Sequence, residues 1–338
     1  MSVAQPTISV VLPTFNRKQS LRAALGSLEL QSMPMEQFEV VVVDDGSTDG
    51  TAQTLEEEMQ RSRLRLRCFT KAHEGPGAAR NYGVEKAEGA LIAFIEDDVS
   101  ADRHWLSRAL KHLEDPDITG IEGTTVAGSS RGSLRLFDPG DFFSFIPCNF
   151  FIRRNAFLAL HGYDTEFFDG RTNLYFREDI EFGFRALHAG LKIARAPDVI
   201  VSHPAQFHSA GDAFRHVRRY FFDPLLYKKH PRDYRRGVEV KDIGPLRLHR
   251  PFHYLSLFYI LAFMLIFPVA AVGNLMMVVG LLIFLLILFA GIRFRYQRTW
   301  FPLAKHVLSA APFLFLPFYY YYWLIRGCRR YGSWGPLI

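Results

Sequence analysis

Short apolar runs alternate with helical stretches along the N-terminal part of the chain. The pattern predicts strands at residues 8–12, 38–43, 64–69 and 90–95, and helices at 20–30, from 48 or 49 to 58, and at 75–87. Strands that are apolar without alternation, and are separated by helices, are typical of a parallel sheet covered on both faces. We therefore expect an α/β fold with a mostly parallel sheet flanked by helices.

Polar motifs follow three of the expected strands, at the point where each strand ends. They are Pro13-Thr14-Phe15-Asn16, Asp44-Asp45-Gly46-Ser47 and Glu96-Asp97-Asp98. Open sheets of this kind bind ligands beyond the carboxyl ends of their strands. The three motifs therefore predict one shared ligand cleft.

Two acidic clusters carry the candidate chemistry. Asp97 and Asp98 could hold a divalent cation that binds substrate phosphates, and a helix cap or surface turn is the alternative. Glu178 and Asp179 begin a helix predicted over residues 178–189. Asp179 could take the proton of an acceptor hydroxyl as general base, with Glu178 orienting it or binding the acceptor. An acidic pair placed there only by the helix dipole is the alternative interpretation.

Other residues of the expected cleft suit a nucleotide. Asp45 could accept a hydrogen bond from a base or ribose, although a turn-forming role is equally consistent with its position. Residues 75–77, Gly-Pro-Gly, allow close backbone approach at a helix start, where anions bind well. Arg80 follows as a phosphate or base contact, or as an ordinary surface arginine. His203 could complete a metal site or remain structural, and His208 competes for that role.

The C-terminal part of the chain contains long uncharged runs. Residues 252–272 and 275–292 each approach the ~20 apolar residues that span a bilayer, and Gly273-Asn274 separates them. We expect a transmembrane hairpin, and a buried hairpin in a soluble protein is the alternative. A third apolar stretch, residues 307–325, contains two prolines and a run of tyrosines. It could span, re-enter or lie at the membrane surface.

The charge distribution and the cysteines predict where in the cell the protein lies. The net charge is +6, and basic residues lie at both outer ends of the expected hairpin, which predicts that both ends are cytoplasmic. No secretory signal precedes the first strand, so we expect a cytoplasmic catalytic domain on a multi-pass protein of the cell (inner) membrane, in contact with membrane lipids. No nucleic-acid module is recognised, and no nucleic-acid partner is expected. Cys68, Cys148 and Cys328 are expected to be reduced thiols.

Six segments occur in an order that resembles the family 2 glycosyltransferases, which have a GT-A, Rossmann-like fold. They are VVLPTFNR, VVVDDGSTDG, EGPGAARNYG, AFIEDDVS, HGYDTEFFD and REDIEFGFRALHAG. The resemblance covers about residues 7–208. It implies an inverting transfer from a nucleoside diphosphate sugar that depends on Mg²⁺ or Mn²⁺.

The resemblance also implies roles for individual residues. It assigns Asp98 and His203 to the metal and Asp179 to the base, beside which Glu178 is expected to orient the base or bind the acceptor. It assigns Pro13, Phe15 and Asp45 to the nucleotide pocket with Arg80 nearby, and Asp97 to the sugar-nucleotide, and we expect Thr14 to contribute to the same nucleotide-sugar site. The chain departs from the family at Glu96, where an aspartate is usual. It also has no Gln-x-x-Arg-Trp segment, which favours transfer of a single sugar over polymerisation.

The expected organisation has three parts. Residues 1–210 form the catalytic domain, 211–250 a basic juxtamembrane region and 251–338 the membrane region. The expected acceptor is a hydroxyl on a lipid or lipid-linked saccharide of cell-envelope glycan synthesis. A polyprenyl-phosphate sugar synthase is the second enzymatic hypothesis. A catalytically inactive membrane subunit that binds a nucleotide-sugar is the hypothesis from another class.

Overall fold

The computed structural model describes residues 5–128, 134–135, 145–204, 210–238, 240–243, 246–271, 279–280, 283 and 315–337. The chain divides into two compact units, Met1–Gln206 and Phe207–Ile338. The strands of the first unit are β1 Ile8–Thr14, β2 Phe38–Asp44, β3 Leu66–Thr70, β4 Leu91–Phe94, β5 Ser100–Ala101, β6 Gly120–Gly128, β7 Leu134–Arg135, β8 Phe150–Arg153, β9 Phe168–Asp169, β10 Leu174–Tyr175 and β11 Ile193–Pro204. Its helices are α1 Lys18–Glu29, α2 Thr51–Arg61, α3 Pro76–Lys86, α4 Trp105–Leu113, α5 Arg154–Ala159 and α6 Glu178–His188.

One large sheet forms the centre of the first unit, with the strand order β3-β2-β1-β4-β8-β6-β11-β5 and with β7 paired to β6. Strands β1 to β4 are parallel, and Ile8 lies opposite both Phe38 and Leu91. Strand β8 is antiparallel to β4 and β6, whereas β6 and β11 are parallel. Most paired residues therefore lie in parallel ladders, as the apolar pattern of the first strands predicts.

The central strands have no polar face because helices cover both sides of the sheet. Every residue of β1 and β2 is buried. On one side, Val10 and Leu12 pack in a core with apolar residues of α1 and α4. On the other side, Val11 packs with Val84 of α3 and Phe182 of α6. This two-sided burial explains why these strands are continuous apolar runs.

Strand β8 and the length of β11 go beyond the expected pattern. Residues 120–208 have mixed periodicity, and only strand and turn at 191–200 and the helix at 178–189 are expected there. Strand β11 has 12 residues because an irregularity between Ala196 and Ile200 lets it continue beside β6. Local patterning could not predict that irregularity, since it depends on the partner strand.

The second unit is mainly helical. Its elements are α7 Ala210–Arg218, α8 Asp223–Lys229, α9 Pro231–Gly237, β12 Val240–Ile243, β13 Leu246–His249, α10 Pro251–Ala271 and α11 Leu316–Tyr331. Val217, Tyr220, Tyr320 and Leu324 form a buried cluster that joins α7 to α11. The stretch expected at residues 307–325 is described from 315 onward, where α11 packs within this unit.

The expected transmembrane hairpin is not supported by the structure. Among the residues that the structure describes, no helix combines the length and the apolar character needed to cross a membrane. The first expected span coincides with α10, in which the polar side chains of His253 and Ser256 are buried. The second expected span, residues 275–292, lies almost entirely outside the described residues.

Candidate active site

The acidic cluster that follows β4 lies next to the end of β1, because these two strands are adjacent and parallel. The Thr14 hydroxyl donates a hydrogen bond to Asp97 Oδ2 at 2.8 Å. The Arg17 guanidinium lies 3.2 Å from Asp97 Oδ1 and also forms a close ion pair with Asp98. Burial raises the pKa of Asp97 to about 6, while the positive charge of Arg17 opposes this rise. Arg17 thus balances the charge of both carboxylates.

Glu96, Asp98 and His203 form a candidate metal site. One ligand atom from each residue lies within 4.8 Å of the others. Asp98 Oδ1 is buried, accepts no hydrogen bond and lies 3.5 Å from His203 Nε2. A buried carboxylate oxygen without a donor is costly unless an ion or water satisfies it. Two carboxylates and an imidazole are suitable ligands for Mg²⁺ or Mn²⁺. These residues therefore fit a divalent cation.

Asp45 lies at the start of the loop after β2 and accepts hydrogen bonds from several groups. The backbone N–H groups of Glu74 and Gly75 donate to its two oxygens at 3.0 and 2.8 Å. Its Oδ2 lies 2.7 Å from His73 Nδ1, and Lys71 Nζ lies 3.3 Å from its Oδ1. The carboxylate expected to contact the nucleotide therefore also holds the loop of residues 71–75.

Phe15 presents an aromatic surface that His73 covers. The two rings are stacked with centroids 3.9 Å apart and an interplanar angle of 9°. His73 Nε2 lies 2.9 Å from Asn173 Oδ1, so both ring nitrogens have partners. Pro13, the other member of the expected nucleotide motif, is buried within β1 opposite Val43. His73 and Asn173 were not among the expected site residues.

Arg80 connects the two acidic clusters. It is buried on α3, and its guanidinium lies 3.1 Å from Glu96 Oε1 and 3.3 Å from Glu178 Oε1. The same guanidinium lies over the Tyr163 ring, 5.7 Å from its centroid. The structure thus places Arg80 as an internal ion-pair partner. Its expected contact with the nucleotide stays a prediction.

Asp179 lies in the first turn of α6 beside Glu178. Burial, reinforced by the negative charge of Glu178, raises the pKa of Asp179 to about 7, while the charges of Arg177 and Arg80 lower it. A carboxyl group with a raised pKa is a stronger base than an exposed aspartate, as general base catalysis near neutral pH requires. The geometry therefore permits the role expected for Asp179.

The structure brings most expected site residues to one region of the first unit. Thr14, Asp97, Asp98 and His203 meet beyond β1 and β4, and Arg80 joins this group to Glu178. The sequence did not lead us to expect Arg17 at the site, and Glu96 was noted only as a departure from the usual aspartate. The signal for Arg17 was its position directly after the Pro-Thr-Phe-Asn motif, where a helix begins close to the acidic cluster.

Comparison with known proteins shows similarity to glycosyltransferases over part of the chain. Residues 9–161 match the family model described as Glycosyl transferase family 2. The match covers 153 of the 338 residues, so this part of the chain is similar to that family. Glycosyltransferase AglE from Haloferax volcanii is 26% identical over 220 residues, which cover 61% of this chain and 69% of AglE. The poly(ribitol-phosphate) beta-N-acetylglucosaminyltransferase TarS from Staphylococcus aureus is 35% identical over 107 residues, which cover 32% of this chain and only 19% of TarS.

Two solved structures resemble this chain in fold. TarS 1–349 in complex with UDP has a TM-score of 0.51 at 22% identity, covering 68% of this chain and 72% of that one. The mannosyltransferase PcManGT from Pyrobaculum calidifontis, in complex with GDP-Man and Mn²⁺, has a TM-score of 0.54 at 20% identity, covering 96% and 85%. These likenesses confirm the expected sheet flanked by helices, which fits the GT-A class.

Proposed function

We propose that this chain is an inverting, metal-dependent glycosyltransferase that moves one sugar from a nucleoside diphosphate sugar to an acceptor hydroxyl. One observation carries the proposal: the buried side chain of Arg80 links Glu96 of the candidate metal site to Glu178, which directly precedes the candidate base Asp179. TarS and PcManGT, which share the fold, were solved with UDP and with GDP-Man and Mn²⁺ respectively, and this supports a donor of that class.

The residues after β4 have the first role in the proposed mechanism. Glu96, Asp98 and His203 would hold the divalent cation, which when bound supplies positive charge to the departing diphosphate. Asp97 lies beside this group and receives the Thr14 hydrogen bond, which fixes one of its oxygens. We assign Asp97 to the sugar-nucleotide. Phe15 and Asp45 belong to the nucleotide side of the same cleft.

Asp179 has the second role. It accepts the proton from the acceptor hydroxyl while that oxygen forms its bond to the anomeric carbon and the bond to the diphosphate breaks. Glu178 pairs with Arg80, and its negative charge raises the pKa of Asp179, which makes Asp179 a stronger base. Direct attack from the side opposite the diphosphate inverts the configuration at the anomeric carbon.

We also propose that the acceptor is a lipid or lipid-linked saccharide at the cytoplasmic face of the cell membrane. Apolar side chains exposed on α10 support this location: Tyr254, Leu255, Phe258, Leu261 and Met264. Exposed apolar patches of this kind mark contacts with proteins or membranes. Flotation with anionic lipid vesicles tests the proposal, and equal flotation of wild type and a Phe258→Ser, Leu261→Ser variant would remove this support.

The decisive experiment for the activity is donor turnover. Purified protein is incubated with a panel of UDP-, GDP- and dTDP-sugars and Mn²⁺, and released nucleoside diphosphate is measured against a heat-denatured control. Release from one donor, with a β-configured product from an α-configured donor, is expected. A chain that binds a donor without turnover would instead be the inactive binding subunit.

The polyprenyl-phosphate hypothesis makes a different prediction for the base. An ionised phosphate acceptor needs no deprotonation, so an Asp179→Asn variant would then retain near-wild-type transfer. The raised pKa of Asp179 favours a hydroxyl acceptor instead, because a proton-accepting carboxylate has a function there.

A further inference from the structure

Arg177, which precedes the acidic pair of α6, has a backbone conformation that suits glycine. Its φ is 78° and its ψ is −3°, in the left-handed region. Residues with a Cβ atom adopt this region at an energetic cost, and such strain concentrates at functional sites. A glycine would start α6 with the same turn and without the strain. The arginine side chain therefore has a role that outweighs its backbone cost.

The Arg177 side chain is held inside the protein rather than extended into solvent. The residue is 6% exposed, and its guanidinium carbon lies 4.2 Å from the centroid of the Phe176 ring. Stacking on an aromatic face holds a guanidinium in position. The positive charge of this buried group acts on the carboxyl group of Asp179, two residues further along the chain.

The groups whose charges act on Asp179 come from several elements. Glu178 raises its pKa, whereas Arg177 and, to a smaller extent, Arg80 lower it, and the Tyr163 phenol also faces this group. Arg80 is shared between Glu96 and Glu178. Arg177 is therefore the cation with the larger effect on Asp179.

We propose that Arg177 is a positioning residue whose guanidinium charge keeps Asp179 in its proton-accepting form, and that the strained turn is retained for that charge. The proposal rests on the proposed function, in which Asp179 is the base. It concerns the electrostatics of this chain alone and does not depend on the identity of the sugar or of the acceptor.

The first test uses the pH dependence of turnover in wild type, Arg177→Gln, Arg177→Gly and Arg177→Lys. Loss of the charge should shift the acidic side of the kcat/KM–pH profile to higher pH by about half a unit. At a fixed pH on that side, kcat/KM should therefore fall roughly threefold. The lysine variant should stay near wild type because it keeps the charge. His161→Gly is the matched control, since His161 also has a positive φ of 60° and lies outside the acidic pair.

The expected pattern separates a charge effect from a structural one. The acidic side of the kcat/KM–pH profile should shift in Arg177→Gly as it does in Arg177→Gln, because both variants lack the charge, whatever the change in melting temperature. An unshifted pH profile in both Arg177→Gln and Arg177→Gly would overturn the proposal. An equal shift in His161→Gly or in Arg177→Lys would also overturn it.

A thermal double-mutant cycle tests the same charge without any turnover. At pH 9 the stabilisation that Asp179→Asn confers should be larger in the Arg177→Gln background than in wild type, by about 2 °C. Equal stabilisation in both backgrounds would reject the role of Arg177 even if no donor is ever found. A larger effect with no turnover on any donor would reject the proposed function and leave the electrostatic role of Arg177 standing.

Discussion

Arg17 occupies a position in which it competes with a metal ion. Its guanidinium contacts Asp97 and Asp98, and Asp98 is also part of the candidate metal site. A cation that binds Asp98 must therefore share this carboxylate with Arg17 or displace it. Once displaced, Arg17 would be close enough to the acidic cluster to contact a diphosphate.

We predict that Arg17→Ala binds Mn²⁺ more tightly than wild type in the absence of nucleotide. Removal of one neighbouring positive charge should strengthen binding by about tenfold. Titration of Mn²⁺ by electron paramagnetic resonance measures the affinity. Arg22→Ala is the matched control, because Arg17 and Arg22 side chains are both 47% exposed and Arg22 pairs with Glu57 and Glu58 instead. An unchanged affinity of Arg17→Ala for Mn²⁺ would show that Arg17 does not compete with the metal ion for Asp98.

We predict that Asp179→Asn lowers transfer by about 10²-fold or more, the lower bound of what a general base contributes. Donor affinity, measured by calorimetry, should change little because the role proposed for Asp179 concerns the acceptor and not the donor. In wild type, kcat/KM should fall as the pH drops through about 7, because the base becomes protonated. Activity that persists unchanged to pH 5 would show that another group accepts the proton.

The same carboxyl group should affect stability in the opposite sense to an ion-paired aspartate. Its folded-state pKa lies above its unfolded value, so its contribution to stability is present at low pH and is lost as the pH rises through about 7. Asp179→Asn should therefore raise the melting temperature at pH 8.5 by about 2 °C and change it little at pH 4. Scanning calorimetry at both pH values measures this difference.

At the scale of elements, α3 lies unusually close to the sheet. A Cβ atom at Gly83 would approach Val11 Cγ1 to 2.5 Å and Val43 Cγ2 to 3.3 Å. Glycine at this position therefore permits the close approach of α3, which also carries Arg80. The spacing between α3 and the sheet is a condition for the Arg80 ion pairs with both acidic clusters.

We predict that Gly83→Ala destabilises the fold by about 1–3 kcal/mol, because overpacking forces α3 away from β1 and outweighs the better helix propensity of alanine. Urea unfolding measures the change. Gly26→Ala in α1 is the matched control, because nothing lies within 4 Å of a Cβ atom there and the helix should become more stable. Equal effects of the two substitutions would mean that α3 can move without cost.

The elements also show what the sequence could predict. The strands near 8–12, 38–43 and 90–95 and the helix starting at Glu178 are found where the periodicity places them. Local patterns could not reveal the left-handed turn at Arg177 or the two carboxylate partners of Arg80. The Arg80 partners lie 16 and 98 residues away in the sequence, and Arg177 is a residue type that local propensity would not place in that turn.

At the scale of the whole molecule, ligand and metal should act together on stability. A nucleotide that binds only the folded state stabilises it by about 2.7 kcal/mol at a hundredfold excess over its Kd. We predict that the cognate nucleoside diphosphate with Mn²⁺ raises the melting temperature by about 5 °C, and that a chelator removes most of this rise. Differential scanning fluorimetry measures it. A rise in melting temperature that persists in the chelator would show that the nucleotide binds without the metal.

The parallel pairing of β6 with β11 has a consequence for synthesis on the ribosome. Ile193 lies opposite Gly120, and His203 lies opposite Ala127 on the same ladder. Strand β6 must therefore wait for the chain to be translated to Pro204, a delay of roughly 4–15 s at typical elongation rates. Glu96 and Asp98 emerge long before the histidine that completes their group. A nascent chain consequently spends this interval with its candidate metal ligands incomplete and one edge of β6 unpaired, and we expect chaperones to act in that interval.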